Sequence, residues 1–184
     1  MKPTLTLAAI AWLALSPAAL AESPAGAFFG ALGKLCGQSF VGQVAAGNET
    51  DVAFREARLL MTVASCSETE IRVPFHVGED RSRTWVITRL GEDRLRLKHD
   101  HRHADGVEDE ISQYGGDSLE AGSPSRQSFP ADADSIALFT RTDRTVSNTN
   151  VWSLELSPEI FTYELARPGR LFRVDFDLTR PLAP

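Results

Sequence analysis

The chain has 184 residues, with 19 Lys and Arg against 25 Asp and Glu and a hydrophobic share of 42%. That balance suits a folded globular domain and weighs against disorder over most of the chain. A net charge of −6 and two cysteines argue against nucleic acid as a partner, against a disulfide-dense scaffold and against a Cys-rich metal site.

The first 21 residues read as an address. Lys2 supplies a short positive region, residues 5–15 are apolar, and Ser16-Pro17 break the run. Ala19-Leu20-Ala21 then places small residues where a signal peptidase reads. This is the layout of a secretory signal peptide, residues 1–21, with cleavage after Ala21. The apolar stretch is too short to cross a hydrocarbon core of about 30 Å, and no later stretch is long enough. Removing the leader with its one Lys leaves residues 22–184, a single domain of 163 residues with net charge −7. The expected location is the periplasm or the medium. In an oxidising compartment the pair Cys36 and Cys66 is expected to form a disulfide.

Phe28, Phe29, Leu32 and Leu35 recur at helical spacing, so a short helix precedes Cys36. From there the period changes to two. Leu59, Met61 and Val63 alternate with Arg58, Leu60 and Thr62; Ile71, Val73, Phe75 and Val77 alternate with polar neighbours. Pro74 marks an edge or a bulge in that strand. Trp85 to Leu90 is a strand, Gly91-Glu92-Asp93 turns it, and Leu95 and Leu97 continue on the way back. Asp105-Gly106 and Gly115-Gly116 are turn signals, and residues 121–128 form a polar loop. Strands resume around Ile136 and Leu138, then at Trp152 to Leu156, Phe161 to Leu165 and Phe172 to Leu178, the last two joined at Pro168-Gly169. The fold class is all-β. Nine or ten short strands after one helix predict an antiparallel up-and-down β-barrel of about 8–10 strands, with a β-sandwich as the alternative.

Three of the four histidines fall in Lys98-His99-Asp100-His101-Arg102-His103. A spacing of two puts His99, His101 and His103 on one strand face, the face carrying Leu95 and Leu97. The rings therefore extend an inward apolar row towards one end of the barrel, while Arg94, Arg96, Lys98, Asp100 and Arg102 point outward. Neighbours two apart lie about 6.6 Å apart and can share a Zn²⁺ or another transition metal; the outer pair, at about 13 Å, cannot close a three-His site on a straight strand. A third ligand would come from a bend near Ala104, from Asp105 or from another strand. Calcium is disfavoured, because position twelve of a loop starting at His101 is Ser112 rather than Glu. Two other readings use the same residues. One is acid–base chemistry, with His beside Asp100 or Asp109 and Ser82 or Ser112 as nucleophile, although no nucleophile-elbow motif is present and no catalytic residue is assigned. The other is structural, with the rings hydrogen-bonded and closing the barrel end.

Asp175-Phe176-Asp177 places two carboxylates on a solvated face near Arg173 and Arg180. Ser82-Arg83-Thr84-Trp85 precedes a strand, where Arg83 could meet an anionic ligand and Trp85 line its site.

Ser82-Arg83-Thr84-Trp85, residues 95–103, Asp105-Gly106, Tyr114-Gly115-Gly116, residues 129–132 and residues 172–178 together resemble a family of exported proteobacterial proteins of unknown function. A short helix followed by a β-meander is similar to the lipocalin or calycin architecture. Phe40-Val41-Gly42 stands near the place where lipocalins carry Gly-x-Trp, and that motif is absent. The resemblance implies a calycin-like barrel with a central pocket for a small apolar or haem-like ligand. The expected function is binding of such a ligand or a metal near His99, His101 and His103, with Arg83 and Trp85 as further ligand contacts and Asp105 as a further metal ligand. The alternatives are a metal-assisted or acid–base hydrolase of the cell envelope and a structural envelope protein.

Overall fold

The computed structural model describes residues 22–91 and 93–183; the expected leader lies outside them. Helix α1 spans Pro24–Gly33. Ser23 caps it, its Oγ accepting from the Gly26 N–H at 3.0 Å, and Pro24 takes the first helical position, where an N–H has no partner in any case. Ala25, Phe28, Phe29 and Leu32 are buried.

Eleven strands follow. They are β1 (Ser39–Ala46), β2 (Leu59–Thr62), β3 (Ser65–Cys66), β4 (Glu70–Val77), β5 (Asp80–Leu90), β6 (Arg94–His101), β7 (Tyr114–Asp117), β8 (Arg126–Pro130), β9 (Val151–Leu156), β10 (Ile160–Arg167) and β11 (Arg170–Asp177). A 3-10 turn at Glu49–Asp51 and helix α2 (Val52–Glu56) lie between β1 and β2. Helix α3 (Ala133–Arg141) and a 3-10 turn at Thr145–Thr149 lie between β8 and β9. Ten strands form one antiparallel path, β7-β6-β5-β4-β2-β1-β11-β10-β9-β8, and β3 pairs with β4 alone. The path visits the strands in chain order around a ring that passes from β11 to β1, which is the up-and-down barrel the alternation predicts.

The ring lacks one ladder, between β7 and β8. There the Gly115 N–H donates to Ser135 Oγ at 2.8 Å, and the Gly115 carbonyl accepts from the Asp132 N–H at 2.9 Å. Outside the wall, Lys98 Nζ reaches across to Asp132 at 2.6 Å. Glycine is needed at this seam. Gly115 has φ +148°, and a Cβ on it would overlap the Leu97 carbonyl; a Cβ on Gly116 would overlap the carbonyl of Pro130. Gly115-Gly116 is therefore a strand pressed between its neighbours, where the composition suggests a turn. A second departure is at Ile136 and Leu138, which lie on α3 instead of a strand, and a third is at residues 126–128, which open β8 instead of continuing the polar loop. Asp132 caps this helix by accepting from the Ser135 N–H at 2.9 Å, and its buried residues Ser135, Leu138 and Phe139 follow the helical period.

Pro74 sits where the partner of β4 changes. β2 pairs with β4 from Phe75 to Val77, and β3 pairs with it at Ile71 and Arg72, so the missing N–H falls in the gap. Directly opposed residues share a face, and the buried rows point into the ring. They include Leu59 and Met61; Ile71, Val73 and Phe75; Trp85 and Ile87; Leu95 and Leu97; Phe161 and Tyr163; and Phe172, Val174 and Phe176. α1 closes the end where β4 begins and β5 finishes. Gly33 lies against Ile71 there, and the Arg89 guanidinium stands 4.9 Å from the Phe29 ring centre.

The Cys36–Cys66 disulfide forms, with Cα atoms 6.2 Å apart, and ties the segment after α1 to β3. Closing a loop of 30 residues contributes about 3–4 kcal/mol in the chain-entropy picture. The double change Cys36→Ala/Cys66→Ala is expected to lower the unfolding free energy by about that amount, read from denaturant midpoints at constant m. An unchanged midpoint would show that α1 holds the barrel end by packing alone.

Candidate functional site

At the end of the barrel away from α1, three inward rows finish in arginine. Ile87 and Trp85 lead to Arg83 on β5; Phe161, Tyr163 and Leu165 lead to Arg167 on β10; Val174 and Phe172 lead to Arg170 on β11. The row on β6 finishes in His99 and His101. The β5–β6 register sets Trp85 opposite His99 and Arg83 opposite His101, so four of the five residues read from sequence as a ligand set stand together on two neighbouring strands. A cavity of about 290 Å³ opens among them. Phe75, Tyr114, Trp152, Tyr163 and Phe172 contribute rings to its wall, and the half-buried Arg83, Arg167 and Arg170 and the exposed Arg144 contribute charge.

The floor is a stack of aromatic rings. Trp85 lies between Phe75 and Tyr163, with centroids 4.8 and 4.5 Å away and planes within 20° and 5° of parallel. His99 stacks on Tyr114 at 4.6 Å. Only 2% of His99 is exposed, and both ring nitrogens are engaged. Nδ1 is 3.1 Å from the Tyr114 carbonyl, which only accepts, so Nδ1 carries the proton. Nε2 then accepts from the Tyr163 hydroxyl at 2.9 Å. Burial drives the His99 pKa down to about 3, against the opposing pull of the Tyr114 carbonyl. Burial also pushes the Tyr114 hydroxyl up to about 12 and the Tyr163 hydroxyl well above its ordinary value. The ring and both phenols are thus uncharged donors and acceptors at neutral pH.

His101 is half-buried, and its Nε2 lies 3.1 Å from the Tyr114 hydroxyl. Its pKa is lowered, first by burial and then by the positive charge of Arg83. His103 does not join it. The row holds only while the chain stays in the wall, and after His101 it leaves as a projecting hairpin. Arg102 bridges to Glu108 there, and the His103 N–H donates to the Val107 carbonyl at 2.8 Å. The His103 side chain is 59% exposed, with Asp109 at 3.7 Å, and Asp105 turns the hairpin by accepting from the Val107 N–H. The set His99, His101, His103 and Asp105 does not come together around one point. Among the described residues, no group of three or more His, Cys, Asp or Glu side chains is placed to hold a metal ion. His99, with both ring nitrogens engaged, has no lone pair left to offer a metal or a haem iron.

Comparison with models of known families, with curated proteins and with solved structures finds no match. The site's meaning therefore rests on its own chemistry.

Two of the groups invoked for acid–base chemistry, Ser112 and Asp100, are used otherwise. Ser112 Oγ accepts from the His101 main-chain N–H at 2.9 Å. Asp100 is outward-facing yet only 4% exposed; Arg72 covers it at 2.7 Å and Gln113 at 3.2 Å. Asp175 accepts from Thr162 at 2.6 Å and pairs with Arg173, in keeping with a solvated outer face. The site residues that sequence reasoning did not single out are Tyr114, which sits beside the glycine pair, and Arg144, Arg167 and Arg170. For Arg167 and Arg170 a signal existed. They flank the tight turn at Pro168-Gly169 and oppose each other directly, a like-charge pairing that sheets disfavour.

One buried and two half-buried histidines contribute to the acid response. His99, His101 and His76 all have lowered pKa values, so the unfolded chain takes up their protons first, near pH 6.5, while the folded chain resists. Stability therefore falls as pH drops through that value. For His99 the loss continues to about pH 3. The melting temperature is expected to fall between about pH 7 and pH 5, above the range where carboxylates protonate, with a clearly shallower slope in His99→Gln. Equal slopes in the two proteins would mean that His99 is protonated in the fold.

Proposed function

We propose that this chain is an exported, lipocalin-like binding protein that takes a small, flat, largely apolar molecule into the cavity beside Trp85, His99 and His101. The observation that carries this reading is the cavity, at the end of the ring left open by α1. Its volume of about 290 Å³ lies at the small end of the range for small-molecule sites. Aromatic walls with a few fixed polar groups are what such sites are made of. The His99–Tyr163 and His101–Tyr114 pairs lock ring orientations, so the cavity is preorganised, and a ligand entering it meets little conformational cost.

Export is supported by the Cys36–Cys66 disulfide and by the leader-like pattern in residues 1–21. Among the described residues no helix is long and apolar enough to cross a membrane. Mass spectrometry of the protein made in its own cell is expected to give an N-terminus at Glu22 and a mass two hydrogens below the reduced form. An intact Met1 with free thiols would place it in the cytoplasm instead.

Binding is tested with N-phenyl-1-naphthylamine, a neutral apolar fluorophore. Titration is expected to give saturable emission and quenching of tryptophan fluorescence, because Trp85 and Trp152 line the cavity. Leu165→Phe, which fills the cavity from β10, is expected to weaken binding at least about tenfold while leaving the melting temperature within a few degrees. Absence of saturable binding, or binding indifferent to Leu165→Phe, would defeat the reading.

A further inference from the structure

We infer that the ligand carries an anionic group, a carboxylate or sulfonate, held at the rim by Arg144 and Arg167 while its apolar body lies on the aromatic wall. The inference rests on the binding reading above and specifies its substrate class.

The first observation is the sign of the charge. The cavity is lined by four arginines and two histidines, and no Asp or Glu is among its lining residues. This occurs in a chain whose net charge is −6, so the positive rim departs from the rest of the molecule. The second observation is what the arginines do. Arg170 is held by Asp51 through two bonds of 2.5 and 2.6 Å, and Arg83 is paired with Asp80. Those carboxylates anchor the two guanidinium groups without lining the cavity. Arg144 and Arg167 have no carboxylate partner among the described residues. Arg144 donates to the Thr142 carbonyl at 2.8 Å, and Arg167 donates to Asn150 Oδ1 at 3.0 Å.

The third observation is placement. Arg167 stands directly opposite Arg170 at the last pair before the hairpin turn. Like charges so opposed repel, and Asp51 compensates only one of them. An arginine that continues an inward row and keeps charge without a carboxylate is a site for an external anion, which a guanidinium receives by two parallel N–H bonds. Asn150 and Ser147 line the same side and supply neutral polar contacts. A neutral ligand would leave this rim unanswered.

The test compares two probes with the same ring system, 8-anilinonaphthalene-1-sulfonate and the neutral N-phenyl-1-naphthylamine. The sulfonate is expected to bind at least about tenfold more tightly at low salt, in line with charge-assisted hydrogen bonding. Its affinity should fall at about 0.5 M NaCl, while the neutral probe's does not. Arg144→Gln/Arg167→Gln should bring the two affinities to within about twofold of each other, and Leu165→Phe should weaken both. Equal affinities in the wild type, or a preference for the sulfonate that survives the double Arg change, overturn the inference and leave the binding barrel standing. Sulfonate binding that ignores Leu165→Phe places the anion elsewhere and overturns it too. If neither probe binds, the cavity reading itself fails.

Discussion

Trp85 is clamped between Phe75 and Tyr163, and the ring of strands is organised around that stack. The clamp joins β4, β5 and β10, which lie on opposite arcs of the barrel, so the two halves of the wall meet at one indole. Phe176 meets the same indole edge-on from β11, 6.1 Å away. Aromatic pairs at these distances add to the gain from apolar burial and, unlike aliphatic contacts, fix orientation. The indole divides the interior. Towards α1 the rows are apolar and buried; towards the other end they change to His99, His101 and the arginines.

That division explains why polar groups are tolerated so deep. A buried imidazole without partners would be costly, and His99 avoids the cost by giving one nitrogen to a carbonyl and the other to a phenol. Tyr114 serves both histidines, accepting from His99 through its carbonyl and meeting His101 through its hydroxyl. The polar end is thus a connected network, and its geometry is set before any ligand arrives.

Alternation made much of this readable. Once Trp85 and Leu95 are placed on inward faces, a hairpin at Gly91 brings Arg83 and Trp85 alongside His101 and His99, and the register confirms it. The same rule misled at His103, because alternation describes a side chain only while its strand remains in the sheet; the hairpin after His101 ends its authority. Tyr114 was hidden by Gly115-Gly116, whose composition signals a turn while close packing against Leu97 and Pro130 requires a strand. Ile136 and Leu138 fit period two over three residues, too short a window to show the helical period that Ser135, Leu138 and Phe139 reveal. Arg144 lies between α3 and a 3-10 turn, where no periodicity points inward or outward, and only folding brings it to the rim.

The wall also has a line of weakness, and it does not lie between the first and last strands. β1 and β11 are joined by a ladder from Gly42 to Ala46, and the interruption falls between β7 and β8, in the middle of the chain. Mechanically the barrel is a split cylinder, clasped by Asp132, Ser135 and Lys98. Across that slit the lips are held by side-chain bonds and a single main-chain bond, whereas elsewhere neighbouring strands are joined by rows of main-chain bonds. Tyr114, the residue that orients both histidines, stands on one lip of that slit, so the residue that aims the polar groups of the cavity is also part of the seam that closes the wall.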